Sequence, residues 1–246
     1  MGKIYVIGKK VYYRVTKTAD LNNIIITHFK SFPLLTRKKV NFIIWSKAVE
    51  LFTAGAHKST KGFMEILSIY AAIGRAPSET VKIYFPNLVP AVVPEYKIDN
   101  VGLDPWWISG YLTIYCNFNL SVLSGGWKLD IYNKLRHTVS FSRNISELKI
   151  INLIAEYLEA NVFIRTDVSR VDINIANLEN CEYLIKFLDK YPFQSSKHQE
   201  YLIWRDFVLK AKAFKESNPK LRGNLDKNIS SFLVLVEKLV DIREKL

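Results

Sequence analysis

A repeated segment is the feature that most restricts how this chain can fold. Residues 32–45 read FPLLTRKKVNFIIW and residues 191–204 read YPFQSSKHQEYLIW, so proline is second and tryptophan last in both. An amphipathic helix is predicted before each proline, and an alternating strand before each helix. Self-similarity at one spacing indicates a duplicated structural unit. The sequence therefore predicts two copies of one unit, with chance similarity of two helix–proline–helix segments as the alternative.

Residues 104–160 precede the second copy and have no counterpart in the first half. Asp104 and Pro105 are residue types that cap and start a helix. Alternation of apolar and polar residues then predicts two strands around a turn at residues 124–126, and apolar residues at helical spacing predict a helix over 146–159. One full copy therefore has the order α-β-β-α-β-β-α.

The predicted fold class is α+β, with a duplicated α-β-β-α-β-β-α unit whose two antiparallel sheets form a saddle, each covered by helices on one face. Residues 1–76 are expected to be a truncated first repeat, residues 77–103 a proline-rich linker, and residues 104–246 a complete second repeat with C-terminal helices. The first repeat is expected to be incomplete, because either its leader is lost or another chain supplies it.

The last predicted helix covers residues 225–245. Its apolar residues recur at helical spacing, which predicts one face turned towards the core. The residues expected on that face are Ile229, Phe232, Leu233, Val236 and Val240.

The net charge narrows the class of ligand. Lys and Arg number 35 against 23 Asp and Glu, a formal net charge of +12, while the 49% of hydrophobic residues suffice for a core. Such a charge points to a polyanion, either nucleic acid or an acidic membrane surface. The apolar runs fall far short of the roughly 20 residues of a membrane helix, so no membrane partner is expected. Two cysteines and four scattered histidines favour neither a disulfide framework nor a zinc site.

Two segments carry a resemblance to a known family. WISGYLTIYCNF, residues 107–118, and YYRVTKTADLNNIIITHFKSFPLLTRKK, residues 12–39, are similar to the LAGLIDADG homing endonucleases and maturases of organelle introns. The chain resembles a degenerate, N-terminally truncated member. The resemblance implies one motif helix per repeat and packing of the two helices on small residues, here Ser109 and Gly110. It also implies an acidic residue at the end of each helix, which holds a divalent metal over a phosphate.

The position of that acidic residue falls on Tyr115. A phenol with an ordinary pKa of about 10 is neutral at pH 7, whereas retention of Mg²⁺ needs hard carboxylate oxygens. The first motif helix would lie upstream of residue 1. On these grounds we expect no enzymatic activity, no catalytic residue, no metal and no cofactor, with DNA endonuclease as the ancestral activity.

A basic, aromatic surface is expected to remain. In the family the exposed faces of the two sheets lie along the nucleic acid; lysine and arginine suit phosphates, and tyrosine can stack on bases. A strand face kept charged for solubility is the alternative for each residue. The expected nucleic-acid-binding residues are Lys9, Lys10, Tyr12, Arg14, Lys128, Tyr132, Lys134, Arg136, Arg165, Arg170 and Asn174.

The preferred hypothesis is a catalytically inactive protein that binds structured RNA in mitochondria, in the ribosome or in intron splicing. The expected partners are rRNA or intron RNA, mitochondrial ribosomal proteins, or a chain that supplies the first motif helix. An organelle-encoded origin and a location in the mitochondrial matrix follow from the resemblance. Two alternatives stay open: half of a split DNA homing endonuclease that needs a partner chain and Mg²⁺, and a structural protein-binding module.

Overall fold

A computed structural model describes residues 1–73, 77–98, 102–123, 135–217 and 230–245. The chain divides into two compact units, Met1–Asp99 and Asn100–Leu246. Within these residues, each unit contains helices and one antiparallel sheet, of two strands in the first and four in the second. The prediction of an α+β fold with two antiparallel sheets is therefore confirmed, whereas the saddle, which concerns how the two units are arranged, stays a prediction. No described helix combines the length and apolar character that crossing a bilayer requires.

The first unit begins with a hairpin and continues in helices. Strands β1 (Lys3–Ile7) and β2 (Lys10–Arg14) are joined by a turn in which Gly8 has φ +59°, a conformation that glycine adopts without steric cost. Helix α1 covers residues 18–31 as Thr18–Asp20, a π-helical stretch Leu21–Ile26, and Thr27–Ser31. The remaining bounds are α2 Lys38–Thr53, a 3-10 turn Ala56–Lys58, α3 Thr60–Ile73 and α4 Glu79–Tyr84.

The hairpin of the first unit has neither face covered. All ten residues of β1 and β2 are exposed, so the expectation that helices cover one face of each sheet is wrong here for the part of the unit that the structure describes. The physical reason is that α1 packs against α2 instead of against the strands. The apolar contacts of this unit are therefore made between helices, with Ile26, Val40, Ile44 and Ile69 buried.

The proline-rich segment attaches to the first unit through hydrogen bonds. The amide of Ala91 donates to the carbonyl of Ser68 over 3.0 Å, and the hydroxyl of Tyr96 donates to the carbonyl of Leu35 over 2.7 Å. Helix α4 starts at the cap Ser78, whose hydroxyl accepts from the amide of Val81. The predicted boundaries of the three regions stay a prediction, and residues 77–98 lie within the first unit.

The second unit has the predicted order of elements. Asp104 caps its first helix by accepting hydrogen bonds from the amides of Trp106 and Trp107 at 2.8 and 3.1 Å, and Pro105 is the first helical residue. The bounds are α5 Pro105–Tyr115, β3 Asn117–Val122, β4 Leu135–Asn144, a 3-10 turn Ile145–Glu147, α6 Leu148–Tyr157, β5 Asn161–Arg165, a 3-10 turn Thr166–Val168, β6 Arg170–Ile175, α7 Leu178–Lys190, α8 Lys197–Ser217 and α9 Ser230–Lys245.

The four strands form one sheet in the order β3-β4-β6-β5, with every neighbouring pair antiparallel. Because side chains alternate along a strand, one face holds Phe118, Val139, Phe141, Val171 and Ile173, all buried. Helix α6 contacts β4, β5 and β6 on this side, and α8 contacts β3 and β4. The other face is left to the polar residues.

The core of the second unit centres on the tryptophan of the repeat. Trp204, Tyr201 and Phe207 of α8 are fully buried, and the hydroxyl of Tyr201 donates to Asp189 Oδ1 over 2.6 Å. Helix α9 packs on α8 through Phe232 and Leu235.

The predicted apolar stripe of α9 was partly wrong. Leu233 and Val240 are about half exposed, while Leu235 and Leu239 are buried beside Phe232. In a helix that is apolar on more than one side, the neighbour that it meets decides which side is buried, and here that neighbour is α8. Ile229 lies outside the described residues.

Candidate nucleic-acid interface

The uncovered face of the four-stranded sheet is a grid of polar side chains. Cross-strand pairing places Asn117 opposite Ser140, Ser140 opposite Asn174, and Asn174 opposite Asn161. This row runs across all four strands and carries only amides and hydroxyls. Such groups both donate and accept hydrogen bonds, so the row can form hydrogen bonds with base edges as well as with the phosphate oxygens of a nucleic acid.

Positive charge lies at both ends of this polar face. Arg136 pairs with Ser121 near one end, and at the other end Arg165 pairs with Arg170, which pairs with Asn144. Arg136, Arg165, Arg170 and Asn174 were all predicted to point outward, and the structure places all four on this exposed face. Their role in binding stays a prediction.

Asp172 lies between the two arginines. Its Oδ2 lies 3.2 Å from Arg165 Nε, and its Oδ1 lies 2.8 Å from Arg170 Nε. Partial burial would raise the pKa of Asp172, but hydrogen bonds from Ser142 and Arg170 and the charges of both arginines outweigh it and lower the pKa. The carboxylate is therefore ionised at neutral pH and fixes both guanidinium groups in place.

Phe163 is a residue of this face that the sequence reasoning missed. It pairs with Asp172 and is 51% exposed. An exposed phenylalanine among polar neighbours offers a ring on which a base or sugar can stack. The sequence could have indicated this position, because Asn161, Phe163 and Arg165 are two residues apart along one strand and therefore lie on the same face.

The hairpin of the first unit presents a second basic, aromatic face. Register places Tyr5 opposite Tyr12 and Lys3 opposite Arg14, and the guanidinium carbon of Arg14 lies 5.4 Å from the centre of the Tyr5 ring. Of the four predicted residues in this hairpin, three share this face and Lys9 lies in the turn; the three are Lys10, Tyr12 and Arg14. Lys128, Tyr132 and Lys134 lie outside the described residues.

The two small residues of the motif helix have different surroundings. Ser109 of α5 is 2% exposed, and its carbonyl accepts a hydrogen bond of 2.8 Å from the hydroxyl of Thr113. Gly110 is exposed, and a Cβ at this position would meet no atom within 4 Å. The side of α5 at Gly110 is therefore open in the described chain, and packing of a second helix against it stays a prediction.

Tyr115, at the end of α5, is held by an arginine from the sheet. The guanidinium carbon of Arg143 lies 4.0 Å from the ring centre of Tyr115. Arg143 also donates two hydrogen bonds, of 2.8 and 3.0 Å, to the buried carboxylate of Glu147. The ring centres of Tyr111 and Tyr115 are 4.6 Å apart with an angle of 52° between planes, and burial raises the pKa of Tyr111 well above its usual value. The end of the motif helix is thus an aromatic and cationic cluster.

This cluster does not fit a divalent metal. A carboxylate is expected at position 115, and a phenol ring covered by a guanidinium group stands there instead. Glu147 is the nearby acid and already accepts both hydrogen bonds of Arg143. Within the described residues, no group of three or more His, Cys, Asp or Glu could hold a metal ion.

Solved structures establish the fold by comparison. A structure named as the I-SmaMI LAGLIDADG homing endonuclease bound to cleaved DNA aligns with a TM-score of 0.83 at 20% identity, covering 99% of this chain and 79% of that chain. The I-LtrWI LAGLIDADG homing endonuclease bound to target DNA aligns with a TM-score of 0.81 at 23% identity, covering 96% of this chain and 77% of that chain.

Curated relatives are longer than this chain. Probable intron-encoded endonuclease 3 of Neurospora crassa is 32% identical over 196 residues, which are 79% of this chain and 36% of that protein. Probable intron-encoded endonuclease 2 of the same species is 29% identical over 219 residues, 81% of this chain and 45% of that protein. The chain thus spans less than half the length of the curated relatives that it matches.

These names contradict the expectation that the chain is not an enzyme. The similar proteins are named endonucleases, and one neighbour is bound to cleaved DNA, which points to an enzyme. The expectation rested on Tyr115 at the acidic position and on a first motif helix expected upstream of residue 1, although the carboxylates of a metal site can come from separate segments. The family model described as LAGLIDADG endonuclease matches residues 1–49 and 112–208, more than half of the sequence. The chain belongs to the LAGLIDADG endonuclease family.

Proposed function

We propose that this chain binds double-stranded DNA through the polar face of its four-stranded sheet, as part of an intron-encoded homing endonuclease. The observation that supports this proposal is the row of amides and hydroxyls from Asn117 to Asn161 across the sheet. Arg136 lies at one end of the same face, and the Arg165–Arg170 pair lies at the other. Asparagine can bond adenine through two hydrogen bonds in the major groove, and arginine bonds guanine or phosphate. A β-sheet surface with these groups can recognise the base sequence of DNA and bind its sugar–phosphate backbone at the same time.

Duplex DNA suits this face better than duplex RNA. The major groove of A-form RNA is deep and narrow, so the side chains of a sheet cannot reach base edges there. A row of amides would then have no base to read. The sequence favours structured RNA as the ligand, but the names of the structural neighbours refer to DNA. We therefore take duplex DNA as the ligand of this face and do not retain a ribosomal role.

The catalytic carboxylates are proposed to come from a second polypeptide segment. Among the described residues, none outside α5 comes within 4 Å of a Cβ placed on Gly110, and small residues let two helices approach closely. A motif helix docked there would bring its acidic end towards Tyr115. In this proposal the chain supplies DNA recognition and half of a helix pair, and Mg²⁺ binding depends on the partner segment.

An origin from an intron of a mitochondrial genome is part of the proposal. It is supported by the curated relatives, whose names describe them as intron-encoded.

Binding and cleavage are tested separately. Fluorescence anisotropy with a 30-base-pair duplex that spans an intron-less insertion site is expected to show binding that falls linearly with the logarithm of salt concentration. Arg165→Ala/Arg170→Ala is expected to weaken binding at least tenfold. Lys210→Ala, which removes a charge from α8 where Lys210 pairs with Asp206, is the matched control. Equal affinity of the double variant and the control would contradict the interface.

Cleavage is measured with the same duplex, the chain, Mg²⁺ and a co-encoded candidate partner. Cuts that need both polypeptides and Mg²⁺ are expected. Binding without any cut under these conditions would overturn the catalytic half of the proposal and leave the interface standing.

A further inference from the structure

The C-terminal end of α5 borders the polar face that is proposed to bind DNA. Tyr115 is the last residue of α5 and lies two residues before Asn117, which starts β3 and is the first member of the polar row. A duplex held on that row would therefore have one of its strands beside this helix end. The charged groups around Tyr115 decide what the helix end can do to that strand.

One carboxylate beside the helix end is already neutralised by an arginine. The two oxygens of Glu147 accept hydrogen bonds of 2.8 and 3.0 Å from Arg143, and the Glu147 side chain is 6% exposed. The guanidinium carbon of Arg143 also lies 4.0 Å from the ring centre of Tyr115. Mg²⁺ demands near-octahedral oxygen ligands and loses its water reluctantly. To reach Glu147, it would have to displace a guanidinium group held by two hydrogen bonds and a ring.

A second carboxylate acts on the residue that follows the helix, and cations occupy it too. The charge of Glu200 raises the pKa of Cys116, and Glu200 is buried. Its Oε1 lies 3.1 Å from Lys197 Nζ, and its Oε2 lies 2.9 Å from Arg243 Nε. The charge of this carboxylate is therefore balanced within the protein.

Two further acids of the second unit have other roles. Asp104 caps the opposite end of α5, and Asp172 lies between Arg165 and Arg170 on the polar face. Arginine can neutralise the charge of a phosphate, but it stays protonated in proteins and cannot accept a proton from an attacking water. Among the described residues, the end of α5 thus presents a cation in the place where hydrolysis needs carboxylates.

We propose that this helix end leaves the DNA strand beside it intact, so that the assembled endonuclease nicks one strand of its duplex. The proposal rests on the function proposed above, in which a partner segment supplies the carboxylates. Hydrolysis adds one water to one phosphodiester: the water oxygen bonds to phosphorus, the bond from phosphorus to one sugar oxygen breaks, and that oxygen takes up a proton. A double-strand cut needs this step at two phosphates, and the carboxylates of the partner serve one.

The test uses the full chain, its co-encoded partner, Mg²⁺ and the insertion-site duplex with a different fluorophore on each strand. Denaturing electrophoresis gives the rate of cutting of each strand. One strand is expected to be cut at least about a hundredfold faster than the other, because the charge stabilisation that a metal supplies corresponds to such a factor in rate. Similar rates on both strands would overturn this proposal and leave the proposed function standing. Binding without a cut in either strand would overturn both this proposal and the catalytic half of the proposed function.

A second measurement needs no partner. The affinity of the chain for the duplex is compared in EDTA and in Ca²⁺ at constant ionic strength, and the two values are expected to agree within about twofold, because no carboxylate at the helix end is free to hold the ion. Tighter binding in Ca²⁺ that Glu147→Gln abolishes would overturn the proposal. Tighter binding that persists in Glu147→Gln would place the ion elsewhere and support it. Glu79→Gln, which breaks an exposed ion pair with Lys82, is the matched control.

A third measurement identifies the strand beside the helix end. Ile114 of α5 is 73% exposed, and Ile114→Cys can carry an iron–EDTA group, since Cys116 and Cys181 are buried. Hydroxyl-radical breaks in the bound duplex are expected mainly in the strand that the Mg²⁺-dependent reaction leaves intact. Breaks mainly in the strand that is cut, or in neither strand, would overturn the proposal.

Discussion

The guanidinium carbon of Arg143 lies 4.0 Å from the ring centre of Tyr115. Arg143 belongs to strand β4 and Tyr115 is the last residue of helix α5, so the contact joins the end of the motif helix to the sheet. A cation over an aromatic face is worth about 0.5–2 kcal/mol depending on desolvation. The contact also places positive charge at the C-terminal end of a helix, where the macrodipole favours it.

Loss of the carboxylate that orients Arg143 is expected to destabilise the second unit. Glu147→Gln removes the ion pair whose side chains are 25% and 6% exposed. We expect the free energy of unfolding to fall by about 2 kcal/mol, less than for a fully buried pair because Arg143 reaches solvent. Denaturant titration measures the change. Glu79→Gln breaks the exposed pair with Lys82 and is expected to change stability by less than about 0.5 kcal/mol.

Tyr115→Phe keeps the ring under Arg143 and is expected to leave stability unchanged, whereas Tyr115→Ala is expected to lower it. Denaturant titration of both variants measures the contribution of the ring face. Equal loss in both would show that the hydroxyl, and not the ring, stabilises the helix end.

Asn174 is expected to affect which sequences are bound more than how tightly DNA is held overall. It lies at the centre of the polar row, between Ser140 and Asn161, and carries no charge. Asn174→Ala is expected to relax preference at one base pair by about 1–3 kcal/mol with an unchanged dependence on salt. Selection from a randomised duplex library measures this. A changed slope with salt would show that Asn174 contacts the backbone instead.

Acid is expected to destabilise the protein through His137. This residue is 4% exposed on the helical side of the sheet, and burial lowers its pKa. The folded state therefore binds its proton less readily than the unfolded chain, so stability is full above the unfolded pKa of about 6.5 and falls as pH drops below it. Melting temperatures between pH 7.5 and 5.5 measure the effect. His137→Gln is expected to show a smaller decrease over the same interval.

The two thiols are expected to be unreactive in the native protein. Cys116 and Cys181 are buried, and burial raises the pKa of each to about 12. The thiolate is the reactive species, so Ellman's reagent is expected to modify neither residue until the protein unfolds. Rapid modification in native buffer, compared with a sample in guanidinium, would show that one of the cysteines becomes accessible by local opening.

Helix caps and the alternation of apolar and polar residues predicted those parts of the fold that depend on neighbouring residues in the chain. Asp104 and Pro105 predicted where α5 starts, and alternation predicted which faces of β4 and β6 are polar. The bounds of strands and helices followed because caps and periodicity act within a few residues. The side of α9 that is buried did not follow, since it depends on what α8 presents to it.

The candidate sites followed the sequence only in part. Arg165, Arg170 and Asn174 could be placed on one face from alternation alone. The bidentate ion pair of Arg143 and Glu147 could not be predicted from alternation. It joins a strand to the turn that follows it, and its contribution to stability depends on burial. The expectation of no activity was wrong, because neither the residue type at position 115 nor the expected place of the first motif helix says what carboxylates other segments contribute.

Asp172 has a consequence for how the protein would search a genome. A carboxylate fixed between Arg165 and Arg170 acts as a resident counterion, so docking on a duplex releases fewer bulk ions from this patch than two bare guanidinium groups would. In the proposed complex with duplex DNA, attraction that does not depend on sequence would be weaker, while the orientation of both arginines would be kept for a matching site. The face would then lose some general affinity for nucleic acid and gain discrimination between the intended sequence and the rest.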